Sequence, residues 1–132
     1  YNARRKDVPK IKRDLDLIRR ILLQTEASDS TSLTAADFKN LCSNEDNLYY
    51  NIHMMYQAGL IDAVDIRRYD NVFPQYQIKC LSNSGCEYLD TIRNGFVWRK
   101  TKASLKPVGG TASIEVVQEI ARKILIKHLE TH

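Results

Sequence analysis

At 132 residues the chain is the size of one ordinary domain, long enough to bury about two-thirds of its unfolded surface. Its 43% hydrophobic and 27% charged residues exclude a disordered or fibrous polypeptide, and no apolar run approaches the ~20 residues that a membrane-spanning helix needs. The net charge of +4 points to an acidic partner, but its distribution is more informative than its size. Residues 1–20 hold eight basic and three acidic groups, residues 28–66 one basic and six acidic, and residues 67–106 eight basic and three acidic. An acidic middle therefore lies between two basic flanks.

Residues 1–11 form a basic arm, with Pro9 preventing a helix from running through Val8. A first helix is expected from Lys12 to Ala27, with Ile11, Leu15, Ile18, Ile21 and Leu22 as its apolar stripe. Ser32-Leu33 suits a short strand. Thr34 is an N-cap with Asp37 three residues on, opening a second helix from Ala35 to Cys42. After the turn at Ser43-Asn44-Glu45, a third helix is expected to bury Leu48, Ile52, Met55 and Tyr56. Asn47, Tyr50, Asn51, His53 and Gln57 are expected to be wholly or partly exposed. Gly59 supplies the left-handed residue that ends it. Residues 61–69 and 75–81 read as two strands around a tip containing Pro74. Ser82 caps a fourth helix whose Gly85 permits close packing. A short basic helix follows from about Val97 to Lys106, anchored by Trp98, and Gly109-Gly110 breaks it. Ser113 caps the last helix, in which Ile114, Val117, Ile120, Ala121, Ile124, Leu125 and Leu129 make a broad apolar face.

This order gives an α+β, mostly helical fold: a winged helix-turn-helix with a two-stranded wing and a C-terminal helical extension. The expected division is a basic arm over 1–11 and one domain over 12–132, with the helix-turn-helix and wing in 12–82 and the C-terminal helices in 83–132. In a helix-turn-helix the second helix lies in the major groove. Asn47, Asn51 and Gln57 are then suited to adenine, and Tyr50 and His53 to bases or phosphates. Lys39, Arg67 and Arg68 are the cations nearest to that helix in sequence, placed to hold phosphates. Yet the helix has no Lys or Arg and begins Glu45-Asp46, carboxylates that repel DNA from its N-terminus.

Catalytic patterns do not emerge. None of the five glycines falls in a phosphate-binding loop motif. His53, His128 and His132 lack metal-ligand spacing, and no nucleophile elbow occurs. Asp62 and Asp65 lie three apart on a strand and so point to opposite faces. Cys42, Cys80 and Cys86 contain no CxxC pair and are expected to be reduced, mostly buried thiols. A non-enzyme with no cofactor and no metal is the expectation.

The residues Lys12-Arg13-Asp14-Leu15-Asp16-Leu17-Ile18-Arg19, Ala58-Gly59-Leu60-Ile61, Leu81-x-x-x-Gly85-x-x-x-Leu89-Asp90-x-Ile92-Arg93, Trp98 with Lys100, and Gly109-Gly110 before an apolar helix form a recognisable series. With it the chain resembles a family of small bacterial and phage proteins catalogued as a domain of unknown function, similar to winged-helix proteins and often prophage-encoded. The resemblance covers nearly everything after residue 11 and departs at Asn83 and Cys86, where an aromatic residue and a histidine are expected. It implies a fold and a phage or bacterial setting, and no active-site residue.

The resulting expectation is a cytoplasmic, phage-type transcriptional regulator binding double-stranded DNA. The alternative is a winged-helix module that binds a protein, such as a host factor, and not DNA. A large part of the apolar face from Ile114 to Leu129 is expected to pack on Ile18 and Leu22 of the first helix and on Trp98, the alternative being a homodimer through that helix; a membrane is not an expected partner.

Overall fold

The computed structural model describes residues 11–67 and 73–131. It holds five α-helices, two short 3₁₀ turns and one two-stranded antiparallel sheet among those residues: a mostly helical α+β fold. The basic arm up to Lys10 and the hairpin tip from Arg68 to Val72 lie outside the described residues. No described helix is long and apolar enough to cross a membrane.

The first helix, α1 (Leu15–Ala27), starts three residues later than its apolar pattern suggests. Asp14 is the N-cap, its carboxylate accepting from the Leu17 N–H at 3.1 Å. The segment before it is held extended from outside: the Asp14 N–H donates to the side chain of Asn51, which in turn donates to the Lys12 carbonyl. Ile11, expected to join the stripe, is therefore outside the helix and 40% exposed. Leu15, Leu17, Ile18, Ile21 and Leu22 are buried.

Leu33 makes a single antiparallel bridge to Ile78. The expected second helix over 35–42 is only a 3₁₀ turn, Ala35–Phe38. It is well capped, the Asp37 carboxylate accepting from the Thr34 N–H at 2.9 Å. Eight residues are too few to offset the cost of nucleating an α-helix. A turn of three residues instead aligns Ala35, Phe38 and Leu41, all of which face the core.

The helix α2 (Glu45–Gln57) is capped by Asn44, which accepts from the Asn47 N–H. Its buried stripe is Leu48, Asn51, Ile52 and Met55, at the i, i+3, i+4, i+7 spacing of one helix face. The expectation is corrected at two positions: Asn51 is fully buried, and Tyr56 is 41% exposed. Gly59, at φ 75°, closes the helix. The Gly59 N–H returns to the Tyr56 carbonyl and the Leu60 N–H to that of Met55, the paired bonds of a Schellman turn.

Strands β1 (Ile61–Asp65) and β2 (Tyr76–Leu81) then pair from Ile61↔Leu81 to Asp65↔Tyr76, with an irregularity between Asp62 and Ala63. The first strand is shorter than the expected 61–69. The Asp65 carboxylate accepts the Arg67 N–H at 2.8 Å and draws it out of the ladder.

Ser82 caps α3 (Asn83–Ile92), accepting from the Gly85 N–H. Gly85 is where the two halves of the chain meet: a Cβ built there would lie 1.9 Å from the Leu60 carbonyl oxygen. Asn94 caps α4 (Gly95–Leu105), so Gly95 opens this helix as well as following the one before. A 3₁₀ turn (Lys106–Val108) leads to Gly109 and Gly110, both at positive φ. The last helix, α5 (Ile114–Glu130), packs mainly on α3 and on α4, the helix of Trp98, rather than on Ile18 and Leu22 of α1. One cluster of buried apolar side chains runs from Leu15 through the sheet to Val117 and Ala121.

Candidate nucleic-acid interface

The surface that the sequence singles out is the outward side of α2 with the adjoining hairpin. Its geometry separates the candidates. Asn51 is not a base-reading side chain. Its Oδ1 accepts from the Asp14 N–H at 2.7 Å, and its Nδ2 donates to the carbonyls of Lys12 at 3.1 Å and Asn47 at 2.9 Å. It pins the entry of α1 to the middle of α2, and it leaves the candidate set because no groove edge can reach it. Asn47 is half-buried, with its Oδ1 enclosed and without a hydrogen-bond partner among the described residues.

The aromatic candidates are tied to the hairpin. His53 Nδ1 lies 2.8 Å from the Tyr76 hydroxyl and its ring stacks on that of Tyr76. Tyr56 stacks on the same ring at 4.4 Å, and Tyr50 meets Phe73 edge-on at 6.2 Å. Burial, with the negative charge of Asp65, raises the Tyr76 hydroxyl above the usual tyrosine value. These contacts fasten α2 to β2. Beside them, Thr34, Ala35, Ile66 and Pro74 line a cleft of about 190 Å³ between the 3₁₀ turn and the hairpin.

The two described candidate cations are paired with carboxylates. Lys39 Nζ is 3.2 Å from Glu45. Arg67 folds back on Asp65 at 2.9 Å, and the hydrogen bonds it gives hold that carboxyl below its usual range. Arg68 lies outside the described residues. Of the seven described candidates, Gln57 alone is exposed with no partner among the described residues. Asp46, which makes no ion pair among the described residues, adds negative charge at the start of α2.

The opposite charge gathers at α4, whose sequence GFVWRKTKASL contains no acid. Val97, Trp98, Thr101 and Leu105 are buried, so Arg99, Lys100 and Lys106 are left exposed. Trp98 anchors the helix to α1, its Nε1 donating to the Asp16 carboxylate at 2.8 Å, and Lys102 approaches the same carboxylate at 3.1 Å. Partial burial would raise the pKa of Asp16. The Trp98 and Lys102 hydrogen bonds and the charges of Lys102 and Arg20 outweigh it and hold the carboxyl below its usual range. Two other arginines in this half are structural. Arg19 donates to the carbonyls of Ile92 and Arg93 at the end of α3, and Arg93 forms a forked pair with Glu26. The sequence showed the basic run of α4 but not that its acid-free side faces outward.

The thiols correct another expectation. Cys42, Cys80 and Cys86 are free, but Cys42 is half-buried and the other two are exposed. Among the described residues no three His, Cys, Asp or Glu side chains are grouped as a metal site would require.

Fold and surface together define a small, mostly helical α+β domain in which an acidic helix–hairpin unit adjoins a basic helical layer. The chain belongs to the family described as "Hypothetical protein (DUF2513)", whose profile matches residues 12–112. It is also similar to an uncharacterized protein of Haemophilus influenzae, 31% identical over 121 residues that cover 90% of this chain and 99% of that protein. No solved structure matches it.

Proposed function

We propose that this is a winged-helix protein that binds double-stranded DNA without catalysing a reaction, in gene control of the phage or prophage type in a bacterial cytoplasm. The element order supports the fold reading: a helix, a bridging Leu33, a short turn, a second helix and a hairpin follow one another as in a winged helix. The observation that carries the binding reading is α4, whose own sequence holds no carboxylate and whose Arg99 and Lys100 are exposed and outside any ion pair among the described residues. Phosphate neutralisation supplies most non-specific affinity for DNA, and unpaired lysines and arginines are what it requires. Fluorescence anisotropy with a labelled duplex, of mixed sequence and of the native locus, tests the reading. Binding at low salt that weakens steeply as salt rises is expected, and no binding to either duplex at low salt would sink it.

A second reading is a protein-interaction module. It is favoured by the α2–hairpin surface, where Lys39 and Arg67 are already paired with acids and Tyr56 is 41% exposed over a stacked aromatic cluster. Exposed tyrosine without free cations suits a protein partner better than a phosphate backbone. Replacing Tyr50 and Met54 with alanine should then remove a specific partner in a pull-down, and identical partner sets would argue against that surface. A homodimer through α5 has less to work with than the sequence suggested. Val116, Ile126 and Leu129 are its exposed large apolar side chains, and Val116 lies about 15 Å along the axis from Ile126.

A further inference from the structure

We infer that α4 and the turn that follows it, not α2, grip the DNA phosphates, with Arg99 and Lys100 of α4 and Lys106 of the turn as the contacts. The inference rests on the DNA-binding reading and assigns that reading's site. Three observations lead to it. The first is availability. Arg99 and Lys106 are exposed and make no ion pair among the described residues, while Lys100 lies over the Phe96 ring at 5.6 Å, an arrangement that leaves its charge uncompensated. On the α2–hairpin side the candidate cations Lys39 and Arg67 would each have to break a carboxylate pair first, while Lys79 of β2 is exposed and makes no ion pair among the described residues.

The second is context. On one flank of α4, Lys100 shares a cleft of about 320 Å³ with Lys127 and His128 of α5. On the other flank, Lys102 and Lys106 share a cleft of about 580 Å³ with Lys12 and Arg13, and the carboxylates of Asp14 and Asp16 line it as well. Asp16, the carboxylate nearest α4, is already engaged by Trp98 and Lys102. Positive charge therefore spreads across both edges of the helix, and a phosphate chain laid over α4 would meet cations on each side.

The third is rigidity and spacing. The cations sit on a helix fixed by buried Val97, Trp98, Thr101 and Leu105, with the Thr101 hydroxyl bonded to the Val97 carbonyl. Lys106, the residue that ends α4, keeps helical backbone angles seven residues after Arg99, which places the two on the same side about 10.5 Å apart along the axis. Such contacts position a duplex without reading its sequence, so base discrimination would fall to other elements.

The test compares two surface variants by anisotropy with a labelled mixed-sequence duplex from about 50 to about 200 mM salt. One is Arg99→Ala/Lys100→Ala/Lys106→Ala; the other is Lys39→Ala/Arg67→Ala. A third variant, Arg99→Lys/Lys100→Arg/Lys106→Arg, keeps the charge, and circular dichroism melts establish that all three are folded. The triple alanine variant should lose at least about tenfold in affinity, and its log affinity against log salt should flatten by about three units, near 0.9 for each phosphate no longer neutralised. The charge-keeping variant and the α2–hairpin variant should stay close to wild type. If wild type binds and the Lys39/Arg67 variant flattens while the α4 variant does not, the assignment to α4 is overturned and DNA binding stands. If wild type binds no duplex at low salt, both fall. Tighter binding to phosphatidylserine vesicles than to duplex would overturn the assignment to DNA.

Discussion

The α2–hairpin unit and the α4–α5 layer use their polar groups in opposite ways. In the first, polar side chains turn inward or onto each other: Asn51 into the α1 junction, His53 onto Tyr76, Arg67 onto Asp65, Lys39 onto Glu45. In the second, apolar side chains, a Trp–Asp hydrogen bond and the Lys102–Asp16 pair hold the helix, and Arg99 and Lys100 are left to solvent. A side chain can serve the fold or a partner, and the fold has already engaged most of the polar side chains of the helix expected to read DNA.

The seam between the units offers the strongest perturbation. Gly85→Ala would drive a methyl into the Leu60 carbonyl. A backbone atom cannot yield as a side-chain tip does, so α3 must shift away from the end of α2, and urea unfolding should show a loss of about 3 kcal/mol. A smaller loss follows inside the α2 unit. Asn51→Ala leaves the Asp14 N–H and the Lys12 carbonyl without their partner, and the same experiment should show about 2 kcal/mol. A surface base-reading residue would instead cost almost nothing in stability.

Asp16 gives the α4 side its own signature. Its carboxyl is lowered in the folded state by Trp98 and the surrounding cations. Its contribution to stability is therefore present above the unfolded carboxylate pKa of about 3.9 and is lost as pH falls through the lower folded value. Asp16→Asn should flatten the acid limb of the melting temperature below about pH 4, with no change in pH dependence above it. The smallest effect belongs to the hairpin: Arg67→Ala removes an exposed pair with Asp65, and thermal melts should be indistinguishable from wild type.

Local chemistry in the sequence located most boundaries. Thr34, Ser82 and Ser113 act at the helix starts their types suggest, Gly59 ends α2 at positive φ, and Gly85 meets backbone where close packing was expected. The misplacements are long-range or a contest between two signals. Asn51 lies on the apolar face by period and off it by polarity; polarity is overruled because its partners, 37 and 39 residues away, fold over it. Tyr56 was the converse: apolar in character, but one residue past the stripe. The start of α1 could not be read from its own pattern either, since the same asparagine holds the preceding segment extended. Arg67 folds back on a neighbour two residues away, whose carboxylate was visible in the sequence but whose turn was not. The charge of α4 was plain in the sequence; its outward orientation depends on which side Trp98 and Leu105 bury.

Isotope-labelled protein titrated with a mixed-sequence duplex at low salt, followed by amide chemical shifts, tests most directly where DNA is gripped. Shifts concentrated in residues 95–106 and the adjoining start of α1, with the outward face of residues 45–57 little changed, are predicted. Shifts concentrated in α2 and the hairpin, with α4 silent, would contradict it.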